Sequence, residues 1–209
     1  MIVLVRHGEA THHTQHLTGG WTDSALTEYG QKQIQRTADS LNGYFRGKLL
    51  SSPLRILCSD LRRAKESAEI IAARLGFTGV IEPYEFLREK CNGEAANKTE
   101  MEAKLLLTPP ENGQALDHRN YPGSETRREF FQRSVNGLWQ AVDMDKANII
   151  IVAHKGTIQN IIFRWLGMDI EDVVRYKFSV SADPASISIL SVNKWGEHNI
   201  DRLNYINRR

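Results

Sequence analysis

Arg6-His7-Gly8-Glu9 joins a permanent planar cation to an imidazole and a glycine, residue types that can hold an anionic group and attack it. Arginine presents a fixed fork of donors suited to phosphate oxygens. Histidine, with a reference pKa of about 6.5, offers a competent nitrogen nucleophile near neutral pH. Gly8 lets the backbone come close to a ligand. Ser59-Asp60-Leu61-Arg62-Arg63-Ala64 adds a basic pair, and His154-Lys155-Gly156 adds a second histidine. Taken singly, each has a plainer reading. The tetrapeptide could be the polar finish of a strand, Arg62 and Arg63 a solvated helical face, and His154 a hydrogen-bonded histidine at a strand end.

The elements around these residues decide between the readings. Ile2 to Val5 is a compact apolar run of the kind buried in a parallel sheet, and it delivers Arg6 and His7 at its carboxyl end. Thr27 reads as an N-cap before Ile34, Ala38 and Leu41 at helical spacing. Arg55 to Cys58 reads as a second strand, with Cys58 as a buried, inert thiol. Ser59 is expected to cap the next helix (Leu61, Ala64, Ala68, Ile71, Leu75), which Gly76 ends. Val80 to Pro83 is a short third strand. Residues of about 88–123 become irregular around one helix near Glu100 to Leu107 and read as a cap insertion. Ser124 is expected to open a helix through Phe131, Val135 and Leu138. Asn148 to Ala153 is the strongest strand, and a helix from Ile158 to Leu166 comes after His154 and stops at Gly167. Ser186 to Val192 alternates and reads as a late edge strand. The pattern predicts one domain over 1–209, a three-layer α/β/α sandwich with a mostly parallel sheet, one antiparallel edge strand and a small cap. In such a sheet the three junctions share one edge, where open α/β sheets bind ligands. Two arginines, two histidines and helix N-termini gathered there form a site for a dianion such as phosphate.

Composition narrows the partners. With 27 basic against 25 acidic residues the net charge is +2, which gives no reason to expect a nucleic-acid or membrane-surface partner. No apolar run approaches the length of about 18 residues that spans a bilayer. The first strand begins at Ile2 without a basic and apolar leader, so a cytoplasmic location is expected. Two cysteines, Cys58 and Cys91, agree with a reducing compartment. His12, His13 and His16 invite a metal reading, but they sit in a polar loop with no cysteine and no carboxylate beyond Glu9, so no metal is expected.

The motifs in order resemble those of the histidine phosphatase superfamily, which includes cofactor-dependent phosphoglycerate mutases and many small phosphatases. Leu4-Val5-Arg6-His7-Gly8-Glu9 matches its hallmark. Trp21-Thr22-Asp23-Ser24-Ala25-Leu26-Thr27-Glu28-Tyr29-Gly30 resembles the loop and helix start that come next in the superfamily. Arg63 falls on the catalytic arginine of the second motif, and Leu87-Arg88-Glu89 matches the segment carrying the acidic proton donor. Tyr121-Pro122-Gly123-Ser124-Glu125 resembles the later turn, and Ile151-Val152-Ala153-His154 the second-histidine motif.

The resemblance implies phosphoryl transfer to His7 and then to water, with Arg6, Arg63 and His154 around the phosphoryl oxygens, Glu89 as proton donor, and no cofactor. It places His13, Thr18, Gly19 and Lys155 at the phosphate or substrate. His13 stands where the superfamily commonly has asparagine, and it could still donate to a phosphate oxygen. Ala10 replaces the usual hydroxyl residue after Glu9. Lys155 replaces glycine and either adds a cation to the site or points outward. Mutases of the superfamily are usually longer, with adjacent arginines in the insertion for a carboxylate; here Arg127-Arg128 comes after the Pro-Gly turn. The expected function is therefore hydrolysis of a small phosphorylated metabolite, with a phosphoglycerate mutase as runner-up and a catalytically silent phosphate-binding module as the contrasting class. Trp21, Tyr121 and the basic residues Arg88, Lys90, Lys98, Lys104 and Arg119 could suit an anionic or aromatic leaving group, or simply be solvated charge. The substrate and oligomeric state are left open.

Overall fold

In the computed structural model of the chain the described residues are 1–46, 53–110 and 116–207, so 111–115 of the insertion lie outside them. The order is β1 (Ile2–Arg6), α1 (Thr11–Thr14), α2 (Glu28–Phe45), β2 (Arg55–Ser59), α3 (Arg62–Leu75), β3 (Ile81–Tyr84), α4 (Glu100–Leu106) and α5 (Arg127–Ala141). Next come β4 (Ile149–Ala153), α6 (Lys155–Trp165), α7 (Ile170–Arg175), β5 (Ile187–Val192) and β6 (His198–Tyr205). The strands form one sheet in the order β3-β2-β4-β1-β5-β6. β1 to β4 are mutually parallel, while β5 and β6 are antiparallel additions.

Side-chain alternation makes the layers. Val3, Val5, Ile56, Cys58, Ile150 and Val152 face Ile34, Ala38 and Leu41 of α2 and Ala64, Ala68 and Ile71 of α3. Ile2, Leu4, Leu57, Ile149, Ile151 and Ala153 face Leu138 of α5 and Ile158, Ile161, Ile162 and Trp165 of α6. The central strands are thus buried on both faces, which is why they read as unbroken apolar runs. Ile149, Ile150 and Ile151 are fully buried, each stabilising the fold by about 1.5–3 kcal/mol relative to exposure. The Cys58 thiol lies in this layer, and burial pushes its pKa up to about 12; it is a core residue.

Three expectations change in detail. Ser59 ends β2 and is not the cap of α3. Leu61 holds the N-cap position, and a carboxylate from elsewhere, Asp23, accepts the Arg62 N–H at 2.7 Å. Ser124 does not open α5. Thr126 does, in a reciprocal capping box with Glu129, while the buried Ser124 hydroxyl accepts from the Tyr121 N–H and closes the preceding turn. β5 is not an edge strand, because β6 pairs with its outer side. β6 is mostly exposed and lacks apolar alternation, so its sequence carries no strand signal.

The irregular insertion leans on the loop after α1. Leu17 and Thr99 form an isolated antiparallel bridge, and the Asn97 N–H donates to the Thr22 hydroxyl at 2.8 Å.

Candidate active site

Strand register sets the centre of the site. Arg6 of β1 lies opposite Ala153 of β4, and the His7 N–H donates to the Ala153 carbonyl at 3.0 Å. His7 and His154 therefore leave adjacent parallel strands side by side, with ring centroids 5.0 Å apart. Arg63, in the first turn of α3, reaches the same point. Its Nε donates to His7 Nε2 at 3.2 Å, and its Nη2 lies 3.2 Å from His154 Nδ1. Carbonyls of Gly20 and Thr22 hold the rest of the guanidinium. Arg62 points away and pairs with Glu66. The loop after β1 can sit this low because Gly8 and Gly30 abut. A Cβ on Gly8 would lie 2.5 Å from the Gly30 carbonyl oxygen, and one on Gly30 only 2.0 Å from that of Glu9. Glu9 anchors the loop by accepting from the Thr27 hydroxyl at 2.7 Å.

Hydrogen bonds fix the histidine tautomers. The Gly8 carbonyl, 2.7 Å from His7 Nδ1, can only accept, so Nδ1 carries the proton and Nε2 keeps its lone pair. Arg63 can only donate, so His154 Nδ1 accepts and its proton sits on Nε2. His13 Nδ1 accepts from the Ala10 N–H at 3.0 Å, which leaves an Nε2–H donor on a ring stacked 5.8 Å from His7. His154 Nε2 and Arg6 Nε are buried with no protein partner; among the described residues no other buried side-chain nitrogen or oxygen is in this position. Buried donors without partners are costly, and an anion relieves that cost.

Electrostatics keep the imidazoles neutral. Burial first, then the charge of Arg63, the repulsion that a second proton on neighbouring His154 would meet, and the charge of Arg6 hold His7 well below the usual histidine range. Burial and the charges of Arg63 and Arg6 do the same to His154. His12 falls to about 3 and His13 to about 4, chiefly through burial. Burial lowers Arg63 to about 10, which leaves it charged at neutral pH.

Glu89 approaches from the far side. Its Oε2 accepts from the Gly156 N–H at 3.0 Å, in the first turn of α6, and its Oε1 from the Lys90 N–H at 2.9 Å. Its charge acts on both Arg6 and Arg63. The backbone carrying it is clamped from behind. Trp21 Nε1 and Arg133 Nη2 donate to the Glu89 carbonyl at 2.8 and 3.0 Å. Arg133 also holds the Phe86 carbonyl and forms a two-pronged pair with Glu125.

The structure thus gathers His7, Arg6, Arg63, His154, Glu89 and His13. Thr18 is placed differently: its hydroxyl proton goes to the Ala95 carbonyl, tying the loop to the insertion. Gly19 packs on the His12 ring. Lys155 is exposed at the first position of α6 and lines a separate pocket that shares Glu89. His16 is exposed beyond α1, and His12 is engaged with the Ser24 hydroxyl at 2.6 Å. Among the described residues no group of three or more His, Cys, Asp or Glu is placed to hold a metal. Sequence reading did not single out Arg133, whose side chain grips backbone carbonyls, nor the Gly156 N–H and the Gly20 and Thr22 carbonyls, which act through the backbone; none leaves a side-chain motif.

The histidine phosphatase superfamily (branch 1) profile matches residues 2–205. The chain belongs to this superfamily. Among similar proteins, "Phosphoglycerate mutase-like protein 4" of Arabidopsis thaliana is 30% identical over 166 residues, covering 77% of this chain and 68% of that one. "Metal-independent phosphoserine phosphatase", also of Arabidopsis thaliana, is 32% identical over 172 residues, covering 78% and 67%. Among solved structures, the alpha-ribazole phosphatase from Shigella flexneri superposes with a TM-score of 0.76 at 21% identity, covering 100% of this chain and 98% of that one. That last likeness speaks to the superfamily's fold.

Proposed function

We propose that the chain is a phosphomonoesterase acting on a small phosphorylated metabolite in the cytoplasm. In this reading 1–209 work as one domain whose insertion covers the site, and the reaction passes through a phosphohistidine on His7. The observation that carries it is a neutral His7, its proton held on Nδ1 by Gly8 and its Nε2 lone pair set among the donors of Arg6, Arg63, His13 and His154.

That geometry orders the steps. The phosphoryl group enters beside His7, and the Arg63 Nε–H passes from the imidazole to a phosphoryl oxygen. Nε2 attacks phosphorus, the ester P–O bond breaks, and Glu89, having taken up the proton of a monoanionic phosphate ester, passes it to the departing alkoxide. Water then attacks phosphorus, the Glu89 carboxylate takes its proton, and the N–P bond breaks to release phosphate. Guanidinium and imidazole donors fixed in a buried site stabilise charge on the equatorial oxygens with little reorganisation, and losing one such contact costs about 10²–10³-fold in rate. Relatives named as phosphatases stand beside relatives named as phosphoglycerate mutases, so the preference for hydrolysis rests on the insertion, where residues 88–123 contain no adjacent arginines.

The test is release of labelled phosphate from a panel of phosphomonoesters, with trapping of an acid-labile, alkali-stable phosphoryl adduct. Both are expected in the natural protein and absent in His7→Ala. Interconversion of 3- and 2-phosphoglycerate faster than hydrolysis would make it a mutase, and phosphate binding without any adduct would make it a binding module.

A further inference from the structure

Beyond Glu89 lies a pocket of about 470 Å³ whose walls include Lys90, Arg127, Phe130, Lys155 and Phe163. Glu89 and Gly156 line it too, so it opens from the side on which a leaving group would depart. Among the described residues its cations outnumber its carboxylates. Elsewhere on this side of the molecule the arginines are matched by carboxylates: Arg88 by Asp60, Arg119 by Glu129, Arg128 by Asp117 and Glu171, Arg133 by Glu125. Lys90, Arg127 and Lys155 have no such partner among the described residues. The one carboxylate in the lining is Glu89, already engaged with two backbone N–H groups. Glu125, the next nearest, is spent on Arg133 and the Cys91 N–H.

The cation cluster also carries a cost. Burial disfavours the Lys90 ammonium form most; Glu125 and Glu89 favour it and Arg127 opposes it, and the net effect lowers its pKa. Burial disfavours the Arg127 charge as well. Among the described residues the lining thus holds three cations, Lys90, Arg127 and Lys155, against one carboxylate, Glu89, and such an excess is destabilising unless an anion joins it. Phe130 and Phe163 supply apolar surface beside them, and the volume falls within the range of about 300–1,000 Å³ typical of small-molecule sites.

Resting on the phosphomonoesterase reading, we infer that this pocket binds the alcohol part of the substrate and that this alcohol carries its own anionic group, met by Lys90, Arg127 and Lys155. The substrate class is then a phosphomonoester with a second anion set beyond an apolar or aromatic body. The anion is a carboxylate or a second phosphoryl-type group, two chemistries that the same cations would recognise.

The experiment uses aryl phosphates with closely matched phenol leaving groups: 3-(4-phosphoryloxyphenyl)propionate, its phosphonate counterpart, 4-ethylphenyl phosphate and tyramine phosphate. The anionic esters are expected to exceed the neutral one in kcat/KM by at least tenfold and the cationic one by more, mainly through KM. The larger of the carboxylate and phosphonate preferences identifies the anion. In Lys90→Met/Arg127→Met the ratio of anionic to neutral kcat/KM should fall at least tenfold, a ratio independent of how much protein folds. Hydrolysis of all four esters at similar kcat/KM, or an unchanged ratio in the double variant, overturns the inference while sparing the phosphomonoesterase reading. Hydrolysis of none overturns that reading instead. In that case equilibrium binding of 3-(4-hydroxyphenyl)propionate against tyramine decides the subsite, and equal affinities refute it.

Discussion

Gly156→Ala isolates the proposed work of Glu89 without touching any group that holds the phosphoryl oxygens. A Cβ at residue 156 would lie 2.4 Å from Glu89 Oε1 and 2.8 Å from the Phe130 ring. Restoring ordinary contact moves the carboxylate by about 1 Å, and an error of that size at a reacting group costs about 10²-fold. Loss of a general acid altogether costs about 10²–10⁴-fold. The expected fall in kcat/KM is therefore about 10²-fold or more for an alkyl phosphate, whose alkoxide cannot leave unprotonated. For p-nitrophenyl phosphate, whose leaving group needs no proton, it should be under about tenfold. The comparison belongs in kcat/KM, which reports only the steps through formation of the phosphohistidine; kcat would mix in the water step, where Glu89 acts again. The fold should survive. Alanine favours a helix over glycine by about 1 kcal/mol, while crowding against Phe130 costs about 1–3 kcal/mol. The net change lowers Tm by no more than about 8 °C, read by calorimetry. An equal loss on both esters would refute proton donation by Glu89, and an unchanged alkyl phosphate rate would refute its placement.

Two further perturbations test the surroundings of the site. His7, His12, His13 and His154 all have folded pKa values depressed below the unfolded value of about 6.5. The unfolded chain thus binds protons that the folded one refuses, and stability falls as pH drops below about 6.5, by up to about 1.4 kcal/mol per pH unit for each histidine. Vanadate or phosphate, by drawing protons onto these rings, should flatten the slope; Tm measured between pH 7 and 5 that stays level without anion would contradict the buried neutral cluster. Arg133→Met removes the clamp on the Phe86 and Glu89 carbonyls and strands Glu125, so a loss of about 2–3 kcal/mol and a lower kcat are expected, only partly restored in Arg133→Lys because a point charge cannot span the fork. A denaturation midpoint and kcat indistinguishable from the natural protein would show that Trp21 alone holds Glu89.

The centre of the site was legible because its residues are continuous in sequence with the elements that place them. An apolar run that must be buried on both faces fixes where β1 and β4 end, and parallel pairing sets the residues after each strand end on one edge of the sheet. That argument alone brings His7 and His154 together, and the Arg6–Ala153 register shows why. Arg63 was separable from Arg62 only by resemblance; the structure supplies the reason, since Arg62 is taken by Glu66 and only Arg63 turns inward.

The remainder was illegible for a different physical reason. Asp23 caps α3 from another loop, β6 joins the sheet without an apolar stripe, and Thr126 rather than Ser124 satisfies the first turn of α5. Each depends on which distant group supplies a hydrogen bond, and local periodicity holds no record of that. Glu89 itself was found by resemblance, but what holds it in place is the extreme case. Its carboxylate is held by the N–H groups of Lys90 and Gly156, and its carbonyl by Trp21 and Arg133. Lys90 and Gly156 offer only the N–H that any residue but proline has, and Trp21 and Arg133 reach a carbonyl that any residue at 89 would present, so no motif announces these contacts. What the sequence does betray is the space the contact requires. Gly156 is constrained by the carboxylate that a side chain would strike, not by any conformation that only glycine adopts, so the glycine after Lys155 is itself a mark of where Glu89 lies.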